Sequence, residues 1–419
     1  MANSILTISM ITREALRVLE NNLSFTRHVN RQFDEYYGKS GAKIGTTLNI
    51  RKPARFQGRN GPTQTIENFT ETSVPLVLSN QWGVDAQFSS VDLALNLDDF
   101  SDRFLKPAMA NVANQIDSAG MALMNSVANF SGTPGVTPNS LSTFLQAGAR
   151  LNINGAPRDG LRAAVIDPFA EASMIDSLKG LFQSSTEIER QYEEGTMGMA
   201  AGFNWSMDQN VAAQVTGTYG AGPVTVVGAG QTGSTLNITG LPASTTNALV
   251  VGDRFTIAGV FAVNQQSNTN GGTGTLGARA QFNVLQQFVV TANANSAGGG
   301  TATISIFPAI VPAATSVQTQ TVSNSPGAGA AIVINNGAAA GTAYLQNAAF
   351  HRDAFVLGTA DLPLVGGVDM CARASDPRLG ISVRIVRQYN ITNDVLPVRI
   401  DVLGGWATMR PELGCVVYG

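Results

Sequence analysis

Few side chains in this sequence could carry covalent or acid–base chemistry. Its two histidines, His28 and His351, lie far apart and neither sits in a metal-ligand pattern. A hydrolytic histidine needs a nucleophile to deprotonate, and no G-x-S-x-G turn offers one. Paired carboxylates occur at Asp98-Asp99 and Glu193-Glu194. Neighbouring residues point in different directions along a helix or strand, so neither pair is a ready acid/base couple. Gly272, Gly274 and Gly277 match G-x-G-x-x-G, but Gln265-Gln266-Ser267-Asn268 precedes them in place of a buried strand. No acid follows until Asp353, so the match reads as a surface turn and not a dinucleotide site. Cys371 and Cys415 cannot form a disulfide framework and read as free, buried thiols. No catalytic, cofactor-binding or metal-binding residue is expected.

The chain has 419 residues, enough for two or three domains. Charged residues make up 13%, about half the usual ~25%. The deficit is local: from Gln209 to Leu345 the charges are Asp253, Arg254 and Arg279 alone. That stretch reads as an inserted β module with six strands: Val224–Val227, Leu236–Ile238, Arg254–Val263, Phe282–Val290, Ala302–Phe307 and Ala331–Ile334. Six short strands with polar turns suggest a barrel or sandwich.

Before the insert, Thr12 opens a short amphipathic helix with Ala15, Leu16, Leu19 and Leu23 on one face. Extended segments follow at Thr46–Arg51, Val74–Leu78 and Trp82–Phe88. The long polar passage between the first two fits a two-stranded flap. Phe100, Phe104, Ala108, Val112, Ile116, Leu123 and Val127 then hold one apolar stripe, predicting a rod of roughly 40 Å. After Gly132–Pro138 come a strand at Arg162–Ile166, a helix from Asp167-Pro168 to Leu181, and polar strands up to Trp205. Beyond the insert, the pattern predicts a helix at Asn347–Leu357 and strands Ile381–Gln388 and Val395–Leu403.

Charge is laid out unevenly. Up to residue 60 ten bases, including Arg51, Lys52, Arg55 and Arg59, face four acids. From 61 to 130 eight acids, including Asp98, Asp99 and Asp102, face Arg103 and Lys106. A basic flap and an acidic helix start can be matched within one subunit or between neighbours, and an ordinary mixed surface stands beside both readings. The net charge of −3 leaves no global footprint for nucleic acid. No apolar run reaches the roughly 18 residues of a membrane span, and no secretory start precedes the first helix. A soluble protein made in the cytoplasm is expected.

The order of parts resembles the HK97-like fold of tailed-bacteriophage major capsid proteins, and within it the coat proteins of the phage P-22 type. Gly195-Thr196 and Ala201-Gly202-Phe203 are similar to the lead into that family's insertion. The run Gly252-Asp253-Arg254-Phe255-Thr256-Ile257-Ala258-Gly259-Val260 resembles a strand-turn motif of its barrel. Arg399-Ile400, Gly405-Trp406 and Arg410-Pro411-Glu412 resemble its C-terminal strand and loop, with Ala113-Asn114 and Met121-Ala122 on the spine helix.

The resemblance implies an α+β fold divided as 1–40 N-terminal arm, 41–90 extended loop with P-domain strands, and 91–130 spine helix. Residues 131–208 would then begin the A-domain, 209–345 form the inserted β domain, and 346–419 the return. It implies a shell of hexamers and pentamers in the virion, made in the host bacterial cytoplasm, with a scaffolding protein and a portal. The shell would touch packaged double-stranded DNA only weakly, and no membrane. Arg51, Lys52, Arg55, Arg59, Asp98, Asp99 and Asp102 are the candidate inter-subunit contacts. One departure stands out: the family's insert bears a charged loop joining capsomers, whereas Gly217–Leu241 carries no charge. An encapsulin-like compartment and a β-rich phage fibre or adhesin are the alternative readings.

Overall fold

A computed structural model describes residues 8–33, 47–56, 62, 66, 71–89, 104–178, 198–220, 222–265, 281–335, 341–376 and 380–419. The chain divides into two compact units. One comprises 1–50, 73–120 and 355–409, and the other 51–72, 121–354 and 410–419.

The first unit is built on a six-stranded sheet whose strand Val395–Thr408 pairs with Asn80–Ser89, Ile381–Arg387 and Phe355–Ala360. Met370–Asp376 and Asn30–Phe33 extend it at either edge. The helix Ile8–Asn22 buries Ala15, Leu16 and Leu19, three of its predicted apolar positions, and Leu23 is buried just beyond its end. The chain after it is held by Asp117, which is 1% exposed. Its carboxylate accepts from the amides of Ser24 at 2.7 Å and Thr26 at 3.0 Å, and from the Thr26 hydroxyl. Phe25 lies with its ring centroid 5.7 Å from both Phe355 and Trp406.

Thr47–Arg51 and Ser73–Val77 pair as a two-stranded flap root. Leu48, Ile50, Val74 and Leu76 alternate along it and pack on Val356 and Ala407 of the sheet. Backbone comes so close here that a Cβ on Gly405 would lie 1.9 Å from the Val77 carbonyl oxygen, so only glycine fits.

In the second unit a six-stranded sheet runs in the order Phe130–Ser131, Gly414–Val417, Asn347–His351, Arg162–Ile166, Phe203–Met207, Met199–Ala200. The helix Leu141–Ile153 packs on it through Phe144, Ala147 and Leu151. Ser140 caps this helix by accepting from the Ser142 amide at 3.2 Å. The inserted stretch forms a closed six-stranded barrel of Val224–Val226, Gly233–Thr239, Ala302–Ile310, Gln281–Val290, Arg254–Val263 and Ala331–Ile334. Leu236, Ile238, Phe255, Ile257, Ile304 and Ile306 alternate inward, and Phe255 stacks on its cross-strand partner Phe288 at 5.5 Å. The insert's two ends, Ala213–Val215 and Ala343–Leu345, pair antiparallel. Ends this close let a domain sit inside another without stretching it.

Three expectations need correction. The predicted helix at Asn347–Leu357 is instead the strand Asn347–His351, a short 3-10 turn Arg352–Ala354, and the strand Phe355–Ala360. Every residue of Asn347–His351 is buried, flanked by strands on both sides, and that environment overrides the helical spacing of its alanines and phenylalanines. Among the described residues the long helix is α-helical over Lys106–Met121, about 24 Å, and tightens into a 3-10 segment at Ala122–Ser126, short of the predicted α-helical end at Val127; Phe100 lies outside the described residues. Cys415 is buried as expected, but Cys371 is only half-buried.

Candidate functional site

The residues with catalytic potential do structural work. Burial, with Arg27 and Arg31 nearby, pushes the pKa of His28 down. His351 is 1% exposed, and its Nε2 lies 3.2 Å from both Asp159 carboxylate oxygens while Nδ1 accepts from the Asp353 amide. That arrangement fixes the ring but presents no nucleophile to it. Burial pushes the Cys415 thiol up to about 12, so it is inert at neutral pH. Among the described residues no group of three His, Cys, Asp or Glu could hold a metal. Nor is any described helix long and apolar enough to cross a membrane. The glycine motif at 272–277 and the pairs Asp98-Asp99 and Glu193-Glu194 lie outside the described residues.

Of the candidate contacts, Arg59, Asp98, Asp99 and Asp102 also lie outside them. Arg51 reaches Glu71 at 3.2 Å, with both side chains at least half exposed. Such a pair is worth little, about 0–1 kcal/mol, and leaves Arg51 available to a neighbour. Lys52 continues the flap pairing, its amide donating to the Thr72 carbonyl at 2.7 Å. Arg55 is turned inward, with Nη2 3.8 Å from Glu412 and its own carbonyl accepting from Gln318 Nε2 at 2.7 Å.

The densest polar cluster of the second unit is one the sequence could only hint at. Arg254 is 1% exposed. It donates to the carbonyls of Val127 at 2.9 Å, Gly252 at 3.0 Å and Met124 at 2.7 Å, to the Tyr418 hydroxyl at 3.0 Å and to Gln346 Oε1 at 3.2 Å. Carbonyls at a helix end run short of internal donors. Where Ala122–Ser126 finishes, this guanidinium serves the Val127 carbonyl and adds a second donor to Met124, whose carbonyl also accepts from the Val127 amide at 3.1 Å. One barrel side chain therefore clamps the helix end, the exit of the insert and the C-terminal strand. The adjoining Gly252 has φ +94, and a Cβ there would lie 2.9 Å from Asn125 Oδ1.

Asp253, fully buried, accepts from Gln214 Nε2 at 2.8 Å and from the amides of Val250 at 2.9 Å and Gly217 at 3.2 Å. Burial pushes its carboxyl up from 3.8 to about 6, against those hydrogen bonds and the Arg254 charge. Between those values the folded chain keeps a proton that the unfolded chain has released. This group's contribution to stability therefore falls as pH rises from about 4 to about 6 and is level above. Asp253→Asn removes that slope. Urea titrations at pH 4 and pH 7 should show the difference between variant and wild type moving by about 3 kcal/mol in the variant's favour. An equal difference at both pH values would rule out a protonated Asp253.

Polar chemistry devoted to clamping backbone and joining strands is the profile of a structural protein. A family model described as P22 coat protein, gene protein 5, matches residues 1–419. The chain belongs to the P22 coat protein family: it is a major capsid protein of the phage head shell, of mixed α+β architecture with a closed six-stranded barrel, and not an enzyme. It assembles with itself into shell oligomers and resides in the virion capsid. No curated protein matches it. Similar solved structures include the capsid of Ralstonia phage GP4, at 8% identity and TM-score 0.47, covering 94% of this chain and 87% of that one. A Mycobacterium phage Che8 chain shows 11% identity and TM-score 0.45 over 94% and 90%. A virus-like particle from Pyrococcus furiosus shows 8% and 0.38 over 97% of each. The family assignment rests on the family model.

Proposed function

We propose that this capsid protein builds an icosahedral shell of hexamers and pentamers around packaged double-stranded DNA, with a scaffolding protein and a portal as assembly partners. The observation that supports it is the match of the coat protein family model over residues 1–419. The segments 1–40, 41–90, 91–130, 131–208, 209–345 and 346–419 serve as arm, extended loop, spine, first part of the A-domain, insert and return. The arm and flap reach onto neighbours, where many weak contacts repeated by symmetry let wrong ones dissociate while the closed shell persists. A coat with net charge −3 also adheres little to the DNA it encloses.

In this reading the exposed Arg51 of one copy, with Arg59, meets the acidic stretch at Asp98, Asp99 and Asp102 of the next. Arg51→Glu with Arg59→Glu should cut shell yield sharply in sedimentation while leaving the thermal unfolding of the subunit nearly unchanged. Adding Asp98→Lys, Asp99→Lys and Asp102→Lys should restore shells. Wild-type yield from the first variant, or no recovery in the second, sinks the complementarity. The family match leaves no ground for the fibre or adhesin reading. The inserted barrel weighs against the encapsulin-like one.

A further inference from the structure

Within the second unit, the flap residues 52–56, the barrel and the C-terminal segment enclose a cleft of about 720 Å³. Its charged lining residues are Lys52, Arg55, Arg410 and Glu412, an excess of two positive charges. Both guanidinium groups address the same carboxylate oxygen: Arg55 Nη2 and Arg410 Nε lie 3.8 Å and 3.2 Å from Glu412 Oε1. Their side chains are only 35% and 26% exposed, so water screens the repulsion between them poorly. Burial, with Arg410 beside it, pushes the pKa of Arg55 down despite Glu412. Each guanidinium offers five N–H donors in a fork suited to carboxylate or phosphate. Among the described residues neither has another side-chain acceptor than Glu412.

We propose that this cleft binds a small dianionic oxyanion, phosphate or a compact dicarboxylate, between Lys52, Arg55 and Arg410. The volume falls in the roughly 300–1,000 Å³ range of small-molecule sites. Glu412 inside the cleft supplies one negative charge and leaves room for two more. Gln318 already ties the Arg55 backbone to the barrel, so the bound anion joins flap root, barrel and C-terminal segment into one network. This site is independent of the shell reading, because it is complete within one subunit.

The test is thermal unfolding of the full-length, unassembled subunit with inorganic phosphate, with succinate, and with chloride at matched ionic strength. Phosphate or succinate at ~10 mM should raise Tm by several degrees where chloride does not, since a ligand bound only to the folded state stabilises it by mass action. Whichever anion acts more strongly identifies the source. Lys52→Gln should weaken the apparent affinity about ten-fold, the removal of one contacting charge. Glu412→Gln should shift affinity the other way, because it removes the competing carboxylate. An equal rise in chloride overturns the site. So does an affinity unchanged in both variants, or a rise produced by a DNA duplex but by neither small anion.

Discussion

Arg254→Met is expected to cost the folded chain about 3–5 kcal/mol, as urea denaturation of the unassembled subunit would measure. Methionine keeps the apolar stem but removes every donor. The carbonyls of Val127 and Gly252 then lose the guanidinium donors that reach them, as do Tyr418 Oη and Gln346 Oε1, and the Met124 carbonyl keeps only the Val127 amide. The nearby Asp253 loses a positive charge that favours its ionised form. The barrel's own core, around Phe255, Phe288 and Ile304, contains none of these groups and should survive. The loss should therefore show as early proteolysis near the paired ends Ala213–Val215 and Ala343–Leu345, with the barrel released intact. Arg254→Lys should recover only part of the stability, because one ammonium cannot reach five acceptors spread around a planar fork. A methionine variant within about 1 kcal/mol of wild type would show that the clamp contributes little.

The barrel was legible because its signal is local. Leu236/Ile238, Phe255/Ile257 and Ile304/Ile306 alternate strictly between Gly-, Asn- and Ser-rich turns, and each predicted strand lies within about three residues of an observed one. Asn347–His351 was misread because a strand buried on both faces has no alternation, and its spacing can pass for a helix. The helix Leu141–Ile153 went unseen: Phe144, Ala147 and Leu151 make a thin stripe among Gly148, Ser142 and Thr143. Nor did the sequence separate the strand Met370–Asp376 from its surroundings.

The flap's basic character could be read directly, but the inward turn of Arg55 could not. Nothing in the sequence marks Glu412 as its partner. Arg254 was visible as one of three charges, with Asp253 and Arg279, in a charge-poor stretch, and as part of the motif resembling the family's barrel. Its role was hidden because its acceptors are mostly backbone carbonyls, which every residue carries. Charge in a charge-poor segment was the usable signal, and it pointed to a buried clamp.

A comparable loss is expected in the first unit from Asp401→Ala, about 3–5 kcal/mol by the same measurement. Asp401 is 1% exposed and sits directly opposite Arg384 on the neighbouring strand. Its carboxylate accepts from Arg384 Nε at 3.0 Å and Nη2 at 2.8 Å, from Arg399 Nε at 2.8 Å and from Gln81 Nε2 at 2.5 Å. Those bonds push Arg384 above its ordinary value, and removing the acid leaves that guanidinium, 10% exposed, without its counter-charge. The exposed partner behaves differently: Arg399, at 54%, should cost only about 0–1 kcal/mol when changed to alanine. A double change, Asp401→Leu with Arg384→Met, should regain much of the loss, because it removes both charges where the single variant strands one. If the double variant is no better than Asp401→Ala, the damage comes from lost packing and not from the orphaned charge. The strand involved, Val395–Thr408, pairs with Asn80–Ser89, Ile381–Arg387 and Phe355–Ala360. Weakening it at Asp401 removes the support on which the flap root packs, and shell yield should fall with subunit stability rather than ahead of it.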